Sequence, residues 1–473
     1  MAIHEEKAPS QWMTILLLIV AFFLIYPLWK LGLRELFWDE GEYAVIVSEM
    51  TKFPPDSRLH GMIVPFFFPL FPLLAKGLTL LGLDIEFSLR LLSLLPLAAL
   101  TVIVGIVTTR MSGINAGAAA AAVMFTTILS AEKVIEGFPQ MLTILLIYSA
   151  WLLWFYYGQF GGAWNTAWLL VGLFAGLAFY AGGWTALVYL FVPMMFLKRP
   201  FTLWRRLNMP GFFGGMAILL FFILLWLIPR WSPQQEIGFF ADKSFPEYLK
   251  ECAYTGVDIL LRLMPWTFFL YAPFCPALIV IDKNPLFSKY LKVLFLIAGL
   301  ILVINPFSKA RDILYILPAF AILTGLNYDI VVRRHGDNLC KLLKLWAVGT
   351  LLFNIICDLY EILPIEVLKM LLAKLPLLSQ HIAEEELLIA KMPYAQSLVI
   401  SEICLAMLLT VIALFLAFRK NKIWLIILLL FTSNMLCFWA VIYPYRTVQR
   451  TKEKFGLELR EAIGTSFYPQ MTV

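Results

Sequence analysis

The sequence predicts an all-α, polytopic membrane helical bundle, and three observations carry that prediction. Of the 473 residues, 61% are hydrophobic and only 14% charged, a balance far outside that of soluble domains. Apolar runs near the ~20 residues needed to cross ~30 Å of hydrocarbon recur from Met13 almost to Tyr443. Between those runs, basic residues gather in four clusters, as short cytoplasmic loops do. They are Lys198, Arg199, Arg205 and Arg206; Lys283, Lys289 and Lys292; Arg333, Arg334, Lys341 and Lys344; and Arg419, Lys420 and Lys422. Residues 1–443 read as one membrane-embedded domain and 444–473 as a short extracytoplasmic tail.

The elements follow in order. The run 13–32 has bulky and charged residues from Lys30 to Trp38 where a removed signal would have small ones, so it reads as a retained anchor. The stretch 62–83 is apolar enough to cross, yet Pro65, Pro69 and Pro72 fall inside it. Proline in a helix interior removes a hydrogen bond that lipid cannot replace, so this stretch reads as interfacial or re-entrant. The remaining spans fall near 88–110, 114–131, 138–157, 166–181, 184–198, 210–229, 259–281, 290–304, 312–328, 342–360, 398–418 and 423–442, about thirteen with the first. Gly182-Gly183 reads as a turn between two of them. This count keeps the N-terminus and the basic clusters inside and places Asp39 and Glu40 outside. The polar segment 230–258 suits a cover over a site, and its length equally suits a connector. Glu384-Glu385-Glu386 with His381 reads as the wet face of an external amphipathic helix.

Composition also excludes several classes of function. The net charge of +6 is accounted for by the topology clusters and points to no nucleic acid. Of six cysteines, only Cys252 falls in a substantial polar loop, and neither a metal spacing nor a disulfide framework emerges. No cofactor is expected.

Two polar constellations stand out. The first is Phe37-Trp38-Asp39-Glu40-Gly41-Glu42-Tyr43-Ala44, just after the first run. Charge beside hydrocarbon is costly unless it faces water or a partner, so these acids are candidate site residues; acids that merely favour the start of a short solvated helix are the alternative. The second is Asn305 to Pro318, in which Lys309 and Arg311 open a span that also holds Tyr315. Arginine offers a planar fork of donors, and cations at a helix start suit a phosphate at headgroup level. Interfacial anchoring by basic and tyrosine side chains is the alternative.

Trp38-Asp39-Glu40, Tyr43-Ala44, Ser48-Glu49-Met50, Gly61 and Pro69-Leu70 resemble the first external loop of the GT-C glycosyltransferases, in particular the bacterial aminoarabinose-transferase and protein-mannosyltransferase branch. Arg311 to Pro318 resembles that branch's basic-x-x-x-Tyr-x-Leu-Pro motif, and Met264-Pro265-Trp266 its Pro-Trp after the large external loop. The resemblance runs from about residue 10 to about residue 330. It implies a GT-C bundle with interfacial helices in the first external loop, in the cell (inner) membrane. It also implies a polyprenyl-phosphate-linked sugar as donor and an extracytoplasmic acceptor, a lipid, glycan or protein. Within it, Asp39 is the expected base with Glu40 beside it, Arg311, Tyr315 and Lys309 bind the donor phosphate, and attack opposite the leaving group inverts the anomeric centre.

The sequence departs from the branch at several places. Glu42 stands where an arginine is usual, Phe67-Phe68-Pro69 where a lysine precedes paired prolines, and Ala181-Gly182-Gly183 where Thr-Lys-Gly is usual. Glu132, Lys133 and Glu136 precede Pro139-Gln140 where an aspartate is usual, so Glu136 and Lys133 are possible substitutes. Glu42, His60 and Trp38 are further possible substrate contacts, each with an ordinary structural reading. The missing cations leave room for a non-catalytic relative that binds polyprenyl lipid. A transporter is the third reading, and it would need a pair of broken mid-bilayer helices.

The topology can be checked directly. In a cysteine-free background, cysteines at Asp56, Gln235 and Gln380 are expected to react with an impermeant thiol reagent from outside, and those at Asn208 and Asn421 only after the membrane is opened. Reaction at Asp56 only in opened membranes would put the acids on the wrong face.

Overall fold

The computed structural model describes residues 11–32, 36, 39–50, 58–59, 62–63, 68–198, 201, 203–227, 245–275, 284–305, 308–362, 396–418 and 422–443. The chain divides into two compact units, Met1–Leu339 with Ile423–Leu428, and Cys340–Lys422 with Leu429–Val473. The α-helices are α1 (Gln11–Ile25), α2 (Asp39–Glu49), α3 (Leu70–Leu80), α4 (Ile85–Ser112), α5 (Ile114–Phe125), α6 (Ile128–Lys133), α7 (Gln140–Phe155), α8 (Trp164–Met195), α9 (Leu203–Arg206), α10 (Pro210–Leu227), α11 (Phe245–Arg262), α12 (Pro285–Ile304), α13 (Leu317–Ile362), α14 (Gln396–Phe418) and α15 (Ile423–Cys437). A two-residue antiparallel pair, β1 (Arg58–Leu59) and β2 (Met62–Ile63), sets Arg58 opposite Ile63.

The all-α membrane class is what the structure shows. Among the described residues nine helices are long and apolar enough to cross a membrane, or ten if the bent pair Tyr248–Arg262 and Trp266–Phe274 is one span. The sequence count of about thirteen differs for local reasons. The expected span 114–131 is made in two pieces, α5 and α6, with a break at Thr126 and Thr127. Gly117 lies against Gly105 and Thr109, while Gly137 lies against Leu89 near the start of α4. The two pieces together therefore return the chain along the length of α4. The expected spans 312–328 and 342–360 fall in the single 46-residue helix α13, which runs through the polar stretch from Arg333 to Asn338.

The proline-rich stretch behaves as its chemistry dictates. Helix α3 covers 11 residues, about 17 Å at 1.5 Å per residue, too short to cross. Pro69 precedes the helix and Pro72 falls in its first turn, where a missing N–H costs nothing. Residues 62–83 thus hold a strand end and a short helix, in line with an interfacial segment.

Helical structure runs on through Gly183, yet that residue is non-helical, at φ 66° and ψ −148°. The chain reverses there. Gly182 stands against Thr143 near the start of α7, Trp151 Nε1 donates to the Leu190 carbonyl at 3.0 Å, and Trp154 near the end of α7 packs on Trp164 and Trp168. Both arms of α8 therefore lie along α7, and the turn expected at Gly182-Gly183 holds. Positive φ favours glycine, and a Cβ at Gly183 would fall 2.0 Å from the Phe68 ring. Elsewhere, bare backbone sets the packing of α8 on α10, because a Cβ at Gly172 would meet the Gly215 carbonyl oxygen at 2.1 Å.

The expected span 259–281 is bent by 99° after Arg262. Helix α11 is amphipathic, with Tyr248, Glu251, Thr255, Asp258 and Arg262 at helical spacing on one side and Leu249, Val257 and Leu261 exposed on the other. Tyr248 donates to the Ile304 carbonyl at the end of α12 at 2.6 Å. At its other end Arg262 Nη1 meets Glu132 on α6 at 2.8 Å, so α11 lies across the ends of those two helices. Beyond it, the Met264 carbonyl accepts from Ile128 N and Trp266 Nε1 donates to Thr126 Oγ1 at 2.8 Å, which ties Met264-Pro265-Trp266 to the break between α5 and α6.

In the second unit, Asn354, Thr410 and Ser433 join three helices through a buried triangle of hydrogen bonds of 2.7 to 3.1 Å. Residues 363–395 and 444–473, including the acidic run and the tail, lie outside the described residues.

Gly183→Ala is expected to lower the thermal midpoint in detergent by the equivalent of more than ~1 kcal/mol, since alanine is strained at positive φ. Gly256→Ala, where a Cβ meets nothing within 4 Å, is the matched control and is expected to be neutral or mildly stabilising.

Candidate functional site

The site is built from α2 outward. Glu40 is fully buried and holds Arg90 of α4 through both oxygens, at 3.4 Å to Nε and 3.2 Å to Nη2. Arg90 Nη1 also donates to the Leu31 carbonyl, and the Gly137 N–H donates to Glu40 Oε1 at 2.7 Å. One buried pair thereby ties the first loop, α4 and the turn before α7 together. The turn is gripped a second time, because Ser93 Oγ donates to the Phe138 carbonyl at 2.9 Å and accepts from its N–H at 3.0 Å. A Cβ at Gly137 would lie 2.8 Å from that of Leu89, so only glycine lets the turn sit this close to α4.

The fixed turn presents Phe138. The Arg311 guanidinium carbon lies 4.1 Å from the centre of its ring, within cation–π range, and Tyr43 meets the same ring edge-on at 6.1 Å. Arg311 belongs to a 3-10 turn over Ala310–Ile316. Asp312 fastens the start of that turn by accepting from the Lys309 N–H at 2.8 Å. Its far end is fastened by Tyr148, whose hydroxyl donates to the Tyr315 carbonyl at 2.9 Å and accepts from Ala319 N at 3.2 Å. Tyr315 stacks on Tyr189 at 4.1 Å with the planes 6° apart.

Between these elements lies a cavity of about 270 Å³. Lys309, Arg311, Asp312 and Tyr315 line one side, Tyr43 and Phe68 another, and Gln140, Thr143, Gly182 and Thr185 the floor formed by α7 and α8. Gln140 Oε1 is buried without a hydrogen-bond partner. A side-chain amide left in that state suits a ligand hydroxyl or amine. A second cavity, of about 350 Å³, adjoins the first under α11, and Asn305 and Lys309 line both.

The residues singled out by sequence divide clearly. Lys309, Arg311 and Tyr315 come together in the first cavity. Asp39 opens α2, one turn before Tyr43; its side chain lies outside the described residues, as do Trp38 and His60. Glu40 departs from the catalytic expectation, because its carboxylate is sealed against Arg90 and Gly137 and lines neither cavity. Lys133 and Glu136 pair with each other at 2.9 Å and line neither cavity, and Glu42 is exposed. Where the resemblance expects a lysine between a threonine and a glycine, Gly182 lines the cavity; Phe67, at the other expected lysine, lies outside the described residues, and its neighbour Phe68 stacks on Trp226 at 5.3 Å and covers Gly183. Gln140, Thr143, Thr185, Asn305 and Asp312 were not among the expected site residues; the one local signal was Pro139-Gln140 at the head of an apolar run. Among the described residues no group of three or more His, Cys, Asp or Glu side chains is placed to hold a metal ion.

Fold and site together define a multi-pass membrane protein with a polar, cation-lined cavity next to the short helices of its first loop. Its fold is that of ArnT. The crystal structure of ArnT from Cupriavidus metallidurans in the apo state matches with a TM-score of 0.67 and 16% identity, over 91% of this chain and 78% of that one. The structure of the same protein bound to undecaprenyl phosphate matches with a TM-score of 0.66 and 17% identity, over the same shares of the two chains. No protein-family model matches the sequence, and no curated protein matches it.

Glu40→Ala is expected to destabilise the protein by ~3–5 kcal/mol, because it leaves the Arg90 charge buried without its partner. Replacing both, Glu40→Leu with Arg90→Met, is expected to recover much of the loss in thermal unfolding in detergent.

Proposed function

We propose that this protein is a membrane glycosyltransferase that moves a sugar from a polyprenyl-phosphate carrier to an acceptor hydroxyl on the extracytoplasmic side of the inner membrane, with inversion. The observation that carries the reading is one cavity that Lys309, Arg311 and Tyr315 line together with Tyr43 of α2, the helix that Asp39 opens. The fold it shares with a protein solved with undecaprenyl phosphate supports the choice of carrier.

The chemistry assigns each group a task. Asp39 takes the proton of the acceptor hydroxyl as that oxygen attacks the anomeric carbon. The bond from that carbon to the phosphate oxygen breaks, its electron pair leaves with the polyprenyl phosphate, and the proton on Asp39 passes to solvent. Negative charge grows on the departing phosphate, so Arg311 and Lys309 beside it favour the transition state over the ground state. Arg311, half-buried, rests on the Phe138 ring and lines the cavity before the donor arrives. Gln140, with Thr143 and Thr185, offers the donor sugar an amide and two hydroxyls. Glu40 acts through position alone, by holding α2 against α4.

A second reading, a non-catalytic binder of polyprenyl lipid, is favoured by one observation. Gly182 lines the cavity at a place where the resemblance expects a lysine.

Transfer from a purified polyprenyl-phosphate sugar in liposomes separates the two. Asp39→Asn is expected to lower turnover by ~10²-fold or more while lipid binding survives. Arg311→Ala is expected to cost ~10-fold or more, with lysine restoring part, since it lacks the planar fork. An unaltered protein that binds the lipid and transfers nothing would establish the second reading.

A further inference from the structure

The cavity of about 350 Å³ under α11 has a mixed wall, in which polar and aromatic groups are joined by Leu302, Val303, Ala310 and Ile313, while α11 turns leucines and a valine outward on its other side. Tyr248, Glu251, Tyr254, Thr255 and Asp258 face it from the helix, and Asn305, Ser308 and Lys309 from the opposite wall. The Tyr248 hydroxyl is anchored on the Ile304 carbonyl at 2.6 Å, which fixes that ring. The charges decide what kind of ligand fits. Arg262 is engaged by Asp258 at 2.7 Å and by Glu132 at 2.8 Å, so its guanidinium is neutralised twice, and Glu251 adds a further carboxylate. An anionic ligand meets no surplus of positive charge here. Aromatic faces beside carboxylate, amide and hydroxyl acceptors suit a neutral saccharide, whose C–H faces pack on rings and whose hydroxyls donate to the oxygens.

We infer that this second cavity binds a neutral, hydroxyl-bearing saccharide, the acceptor, and presents one of its hydroxyls to the donor cavity past Asn305 and Lys309, which line both. The acceptor role rests on the transferase reading; the binding of saccharide does not.

Cys252 lines the same cavity and is half-buried, so its alkylation reports occupancy. The purified protein in detergent is treated with a maleimide, and modification of the Cys252 peptide is followed by mass spectrometry in the presence of methyl glycosides of neutral hexoses or of glucose 1-phosphate. The neutral glycosides are expected to slow the reaction and glucose 1-phosphate to leave it unchanged. Glu251→Gln and Tyr254→Ala, both at exposed positions, are each expected to raise the glycoside concentration needed by about tenfold. Absence of protection by every neutral glycoside, equal protection by glucose 1-phosphate, or protection unchanged in both variants would overturn the assignment. Protection without any sugar transfer from the lipid donor would sink the transferase reading and leave the saccharide site standing.

Discussion

The buried pair between Glu40 and Arg90 is the constraint on which the rest of the site depends. Two charges taken out of water are tolerable only when their remaining hydrogen-bonding capacity is met. Here it is met by the backbone of two other segments, the Leu31 carbonyl and the Gly137 N–H. The pair therefore does more than join two side chains. It fixes where the chain enters α2, where α4 begins relative to it, and where the turn before α7 must lie. Tyr43 of α2 and Gln140 at the head of α7, which line the cavity, take their positions from that arrangement.

The second theme is how few charges the site uses. Arg311 rests on an aromatic ring, and the turn that carries it is held at both ends by hydrogen bonds from Asp312 and Tyr148. A cation held in this way is oriented in advance, which limits the reorganisation that binding of a negative ligand would require. The ring of Phe68 packs over Gly183 on another side of the cavity. The two features are complementary: a crowded apolar wall on one side, a rigid cationic turn on the other.

Much of this was legible in the sequence, because lipid imposes strong local rules. Apolar length revealed the spans, three prolines barred 62–83 from crossing as a helix, and Gly182-Gly183 marked a reversal that continuous helical hydrogen bonding on either side disguises. Arg311 and Tyr315 were legible too, being close in sequence at the head of an apolar run. What stayed hidden depends on distant partners. Glu40 looks as catalytic as its neighbour Asp39 until Arg90, fifty positions away, is seen to enclose it. Gln140 is an ordinary polar residue at a helix start until its amide oxygen is found buried without a partner. The break between α5 and α6 is hidden because alanine-rich hydropathy runs on across Thr126.

The wall shared by the two cavities has a thermodynamic consequence. Asn305 and Lys309 face both spaces, so a ligand that shifts either residue from one side alters the surface met from the other. Linkage makes such coupling reciprocal: whatever factor one ligand imposes on the affinity of its neighbour, the neighbour imposes in return. Were both spaces to hold ligands, coupling between them would run through a lysine and an asparagine and would require no movement of a helix.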